Sequence, residues 1–265
     1  MNPVDTVLVF EGQGAKEIPG DPPVDLFALA PVDAQTAIVR HQLARARSWL
    51  SDPDRSDVGV LGQSLGELTA LVVAGAVDED DALTLVRLRA ELPAALLEPR
   101  DWTMASLTRV APADAEAAAE DLALWVIGWN GPADCIVVGE TEAFEALKPR
   151  VRLRPSTYRT LPVVHPYHTP LMQPVADEMA ETLAGMDVRD PTLPVLSPTG
   201  PRAVTTADEA RAVVVEALVS PVSWTATLAF AVARWAPTRW RECGPSASLY
   251  RFAWKNGLDT DWGEA

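Results

Sequence analysis

Two apolar rhythms alternate along the chain. Short unbroken runs, TVLVF at 6–10 and VGVLG at 58–62, stop at glycine-containing turns and predict strands buried on both faces. Between and after them, apolar residues recur every three or four positions, which predicts helices. One helix is expected over 34–51, with Ala37, Ile38, His41, Leu43 and Leu50 among its inward positions. Another, LGELTALVVAGA, begins directly after Ser64 and ends near Gly75. A third covers 79–97, opened by the acids of DEDDA, which suit a helix N-terminus.

From Trp102 the rhythm changes. WTMASLTRV, LWVIGW, CIVVG and YRTLPVV predict strands, and ADAEAAAEDLA and TEAFEALK predict helices, with NGPAD as a turn. The order β-α-β-β-α-β is the ferredoxin-like pattern. A small ferredoxin-like lobe at 102–163 is therefore expected, inserted into a larger catalytic subdomain made of 1–101 and 164–265. In the last stretch, TPLMQPVADEMAETLAGM, ADEARAVVVEALVS, WTATLAFAVARWA and a terminal SASLYRFAWKN read as helices, and LPVLSPT and TRWREC as strands. Strands alternating with helices predict an α/β fold, a hydrolase-like core with a mostly parallel sheet covered on both faces.

Composition narrows the function classes. The 265 residues suffice for one large core with a smaller lobe. A net charge of -15 repels nucleic acid, so that partner class is set aside. No apolar run approaches a membrane span, and no basic region precedes the first apolar stretch, so a cytoplasmic protein without membrane contact is expected. Cys135 and Cys243 lack metal-ligand spacing and read as reduced core residues, and no metal site is expected. One stretch, KPRVRLRPSTYR, is basic without any acid; Lys148, Arg150, Arg152 and Arg154 are either a solvated edge or a landing site for phosphates or an acidic protein.

The strongest chemical signal is Gly62-Gln63-Ser64-Leu65-Gly66, a G-x-S-x-G between a predicted strand and a predicted helix. There a serine sits on a sharp turn with its hydroxyl projecting over the sheet edge. The helix N-terminus favours developing negative charge, and the N–H of Leu65 is placed to receive an oxyanion. The Gly12-Gln13-Gly14 turn offers a second such donor, the N–H of Gln13. A serine nucleophile needs a base. His165 and His168, in HPYHTPLM where a strand meets a helix, are the two choices. Arg89 could hold a carboxylate in two parallel hydrogen bonds, with Arg87 as its rival.

Together these segments resemble the malonyl-CoA:acyl carrier protein transacylase family, which includes polyketide synthase acyltransferase domains. FEGQGAK, GQSLGELTAL, RLRAEL, WNGPADCIVVG, HPYHTPLM, SPVSW and ECGPSASL resemble seven family motifs in the right order, from Val7 to about Asn256. The resemblance implies a ping-pong transfer of a malonyl group from CoA to the phosphopantetheine thiol of an acyl carrier protein. Ser64 would be the nucleophile and His168 the base, with Gln13 and Leu65 as the oxyanion hole and Arg89 on the malonyl carboxylate. Gln63, Asn130, His165 and Tyr167 would line the substrate, and the basic stretch would serve CoA or carrier docking. No bound cofactor is implied, malonyl-CoA being the substrate. His165-Pro166-Tyr167-His168 is similar to the pattern of malonyl-selective members, and a ring at 167 would crowd a methyl branch by about 1–3 kcal/mol.

The chain departs from the family at several points. Gln63 stands where a histidine is usual, Glu11 replaces a proline, Ala217 replaces a glutamine, and the interval from Gln13 to Ser64 is shorter. An editing acyl hydrolase or a transferase of another acyl group on the same fold, and an inactive carrier-docking protein, are the competing readings. Arg89 speaks against the first two, and Ser64, His168 and Arg89 together against the third. The family serves fatty acid synthesis, polyketide assembly and malonate decarboxylation alike.

Overall fold

The computed structural model describes residues 4–51, 57–152, 154 and 157–265. Its elements follow as β1 (Thr6–Phe10), β2 (Glu17–Ile18), β3 (Val24–Asp25), α1 (Pro31–Leu50), β4 (Val58–Gly62), α2 (Leu65–Val73) and α3 (Glu79–Leu96). Next come β5 (Trp102–Thr108), α4 (Pro112–Asp121), β6 (Trp125–Gly131), β7 (Asp134–Glu140), α5 (Thr141–Arg150) and β8 (Tyr158–Thr160). The chain continues through α6 (Gln173–Ala184), β9 (Val195–Ser197), β10 (Arg202–Val204), α7 (Ala207–Val219), β11 (Val222–Ser223), α8 (Trp224–Trp235), β12 (Arg239–Glu242), α9 (Ser248–Lys255) and β13 (Asp261–Glu264).

The main sheet runs β10-β9-β4-β1-β12-β13. Every pairing is parallel except β9 with β10. β1 and β4 are buried along their whole length, as expected for strands covered on both faces. Successive side chains point to opposite faces. Leu8, Phe10 and Val60 pack with α1, α2, α3, α6 and α7, whereas Val7, Val9 and Leu61 pack with Trp224 and Leu228 of α8 and Leu249 of α9.

The stretch 102–160 contributes β5 to β8, in spatial order β6-β7-β5-β8 and antiparallel throughout, the ferredoxin-like arrangement. α4 and α5 cover this sheet over a small core containing Leu107, Val137, Phe144 and Leu147. The sheet gains a fifth strand, β11, from the region between α7 and α8. Thus the two sheets are stitched together where the chain passes from one to the other.

Several expectations shift in detail. The strand expected over YRTLPVV stops at Thr160, because Pro162 has no N–H to continue the ladder. α6 is preceded by a single 3-10 turn at Pro170–Met172. The helix at SASLYRFAWKN is followed by β13, which pairs with β12. β10 and β11 also went unpredicted; two or three residues carry no periodicity. Parts of the basic stretch, Leu153, Pro155 and Ser156, lie outside the described residues.

Candidate active site

β4 delivers its last residue, Gly62, to a turn that reverses into α2, and Ser64 sits at the apex with φ 55° and ψ -117°. An L-residue in this region is strained. The turn holds because its neighbours are glycines: a Cβ on Gly62 would lie 2.2 Å from the Gly66 carbonyl, and one on Gly66 2.2 Å from the Phe10 oxygen. The Leu65 N–H opens α2 and so has no carbonyl within its own helix to receive it. The loop after β1 passes beside the serine, where a Cβ on Gly12 would lie 3.2 Å from Ser64 Cβ.

His168 arrives from the loop between β8 and α6. Its backbone has φ 65°, and its amide donates to the Leu218 carbonyl at 2.7 Å. This brings Nε2 to 2.8 Å from Ser64 Oγ across 104 residues of chain. The ring is buried, and burial together with the Arg89 cation lowers its pKa to about 3. The Ala217 and Ser220 carbonyls pull weakly the other way by favouring a proton on the ring. Nδ1 is buried with no ideal hydrogen bond among the described residues. His165 is not at the serine; its ring meets Tyr167 edge-on at 6.0 Å, half-buried.

Arg89 comes from α3 and is 5% exposed. Its Nη1 donates to Gln35 Oε1 at 2.7 Å and Gln13 Oε1 at 3.0 Å, and its Nη2 donates to Ser64 Oγ at 3.3 Å. The guanidinium lies 4.0 Å above the Tyr167 ring, whose hydroxyl donates to the Arg89 carbonyl at 2.8 Å. All these partners are neutral. Burial lowers the pKa of Arg89, yet an arginine stays charged in proteins. Arg87, its rival in the sequence, is exposed and faces Glu91.

A narrow cleft of about 50 Å³ at Ser64 and His168 is lined by Arg89, Tyr167, Met104 and Val163. It adjoins a roomier cavity of about 210 Å³ lined by Gln13, Gln63, Asn130, Arg159 and Arg251. Gln63 Nε2 donates to Asn130 Oδ1 at 2.9 Å, linking the turn at Ser64 to β6. Of the basic stretch, neither cavity is lined by Lys148, Arg150, Arg152 or Arg154. Lys148 pairs with Glu145, Arg150 pairs with Asp121, and Arg150 and Arg152 border a separate groove beside α4. The cations that do line the larger cavity are Lys16, Arg159 and Arg251.

Sequence reasoning missed Gln35 and Gln42. Both lie on the buried face of α1, Gln35 on Arg89 and Gln42 donating to the Glu11 carbonyl at 2.7 Å. The available signal was two glutamines spaced seven apart on the face that carries Ile38, because buried amides must find partners. Glu67, on α2, is buried, and burial pushes its carboxyl up to about 8 against weaker opposing pulls from Ser197 and Arg202.

An elbow serine, an imidazole in hydrogen-bond reach and the Leu65 N–H that opens α2 form a constellation suited to making and resolving an acyl-serine. The chain belongs to the acyl transferase domain family, whose pattern matches residues 29–247. It is 30% identical over 205 residues to the malonyl CoA-acyl carrier protein transacylase of Escherichia coli K12, covering 76% of this chain and 66% of that one. The alignment thus spans just under two thirds of that relative. It is 34% identical over 179 residues to a non-reducing polyketide synthase of Phaeosphaeria nodorum, covering 67% of this chain and 10% of the synthase. Among solved structures, a malonyl transacylase in complex with its type II polyketide synthase acyl carrier protein superposes with a TM-score of 0.88 at 24% identity, over 98% of this chain and 96% of that one. The malonyl-CoA:acyl carrier protein transacylase of Xanthomonas oryzae pv. oryzae gives 0.87 at 26% identity, over 99% and 94%.

Proposed function

We propose that the chain moves a malonyl group from CoA to the phosphopantetheine thiol of an acyl carrier protein. The observation that carries this reading is Arg89, a buried cation within 3.3 Å of Ser64 Oγ that has only neutral partners among the described residues. A buried charge without a counter-ion is costly. A ligand carboxylate beside the reacting carbonyl supplies the missing charge, and the planar fork holds it by two hydrogen bonds. The names of the relatives support the same substrate and the same acceptor.

In the reaction, Ser64 gives its proton to His168 Nε2 as Oγ attacks the thioester carbonyl. The oxyanion is received by the N–H groups of Gln13 and Leu65. Collapse breaks the carbon–sulfur bond, and His168 returns the proton to the departing CoA thiolate. The carrier thiol then gives its proton to His168, attacks the acyl-serine, and Ser64 is restored. No metal or resident cofactor takes part in this scheme. Tyr167 walls the acyl pocket and fixes Arg89 through its ring and hydroxyl. The larger cavity takes the pantetheine arm, with Gln63 and Asn130 at its side and Lys16, Arg159 and Arg251 facing its phosphate. The reaction is set in the cytoplasm.

Incubation with malonyl-CoA is expected to add one malonyl group to Ser64 by intact mass, and Ser64→Ala to show no adduct. Equal labelling of the variant removes Ser64 as nucleophile. Arg89→Ala is expected to slow acylation by malonyl-CoA about 100-fold relative to acetyl-CoA, the scale of a lost charged hydrogen bond. Equal loss for both donors removes the carboxylate role.

A further inference from the structure

Glu11 stands immediately before the Gly12-Gln13-Gly14 turn and is 2% exposed. Its carboxylate reaches across to the segment between β12 and α9. Oε1 accepts the Ser246 N–H at 2.7 Å, and Oε2 accepts the hydroxyls of Ser246 at 2.5 Å and Ser248 at 2.6 Å. The carboxylate lies flat on Gly244, where a Cβ would come within 2.5 Å of Glu11 Cγ and Oε1. The carbonyl of the same residue is held from the opposite side by Gln42 Nε2, which Thr69 fixes in turn at 2.7 Å.

After Glu11 the next firm hold on the loop is Ala15, buried in the main core. A Cβ on Gly14 would meet nothing within 4 Å. The Gln13 side chain is tied only to Arg89 among the described residues, a group that the proposed substrate engages. An oxyanion donor works only when fixed to within a fraction of an ångström before the reaction begins. A turn flanked by glycines does not supply that rigidity by itself.

We propose that Glu11 is a positioning residue for the oxyanion hole: its carboxylate, clamped by Ser246 and Ser248, fixes the loop that presents the Gln13 N–H beside Ser64. The inference rests on the reading that Ser64 is an acylated nucleophile. It assigns a role to the position at which this chain carries an acid where its family resemblance leads one to expect proline.

The test compares Glu11→Ala, Glu11→Gln and the double variant Ser246→Ala/Ser248→Ala with the unmodified protein. Melting temperature reports folding. Two rates are read: malonyl transfer, resolved into kcat and KM for malonyl-CoA, and phosphonylation of Ser64 by a fluorophosphonate, which uses the same N–H donors without any malonyl group. Glu11→Ala is expected to lower kcat and the phosphonylation rate together, by about 30-fold, short of the full loss of a donor. KM should move less than about 2-fold, since the donor acts on the transition state. Glu11→Gln, whose amide oxygen can still accept the Ser246 N–H, is expected to recover most of the rate, and the double variant to lie between. A folded Glu11→Ala protein with both rates within 2-fold of the parent overturns the proposal, as does a loss confined to KM. Should Glu11→Ala not fold, unchanged rates in the serine double variant overturn it. A parent protein that is phosphonylated at Ser64 but takes no malonyl group contradicts the malonyl reading alone, and the phosphonylation series still decides on Glu11.

Discussion

In the proposed reaction His168 is the base, which must be unprotonated near neutral pH, and its surroundings favour the neutral ring. Burial first, and the Arg89 cation second, hold its pKa at about 3, below the ordinary 6.5 of an imidazole. The acylation rate of Ser64 is therefore expected to stay level from pH 8 down to about pH 5, with no acidic limb near the ordinary imidazole value. Burst kinetics with malonyl-CoA across that range check this, and a limb centred between pH 6 and 7 contradicts it. Stability carries the matching sign: folding resists protonation of this ring, so its contribution is whole above pH 6.5 and is lost as pH falls toward 3. Ser64 and Arg89 could be picked out in the sequence because each stands in a motif. The residues by themselves left His168 open against His165 and Arg89 against Arg87, and the family resemblance chose within each pair. Gln35 and Gln42 share the buried face of α1 with Ile38, but that spacing does not name Arg89, across the cleft, as the partner of Gln35.

At the scale of the element, the elbow combines close approach with backbone hydrogen bonds, the Gln63 N–H donating to the Phe10 carbonyl at 2.8 Å and the Gly66 N–H to the Gln63 carbonyl at 3.0 Å. Gly66 lets α2 start against the end of β1, with no room for one further carbon beside the Phe10 oxygen. Gly66→Ala is expected to force the strand and helix apart, at a cost of about 3 kcal/mol and with loss of Ser64 labelling. Denaturant titration measures the first and intact mass the second; a fully labelled, equally stable variant would show that the contact can relax. The long helices and the two buried strands were readable from periodicity. The outer and bridging strands β10, β11 and β13 were not, since their pairing is set by what lies beside them and their two to four residues hold no rhythm of their own. Charge density along the chain does not say which cations meet a cavity: of the basic stretch Arg159 lines the larger one, beside Arg251 from a distant part of the chain.

For the molecule as a whole, buried acids set a slope in stability, Glu67 and Glu242 among them. Glu67 has its carboxyl raised from 4.5 to about 8, so the folded state holds a proton that the unfolded chain releases. Its contribution is whole below pH 4.5 and declines as pH rises to about 8. Glu67→Gln is expected to melt higher than the parent at pH 9, with the gap closing toward pH 5. Calorimetry at several pH values checks this, and a gap independent of pH would assign the effect elsewhere.

The placement of β12 has a consequence for how the protein is made. β1 is paired on one side by β4 and on the other by β12, so a central strand waits for a partner that emerges from the ribosome more than two hundred residues later. Until then its edge on that side is open, although Trp224 and Leu228, which pack with Val7 and Val9, precede β12 in the chain. Nascent chains halted before Arg239 therefore carry an adhesive edge. Synthesis of this protein calls either for quick completion or for a chaperone at the first strand.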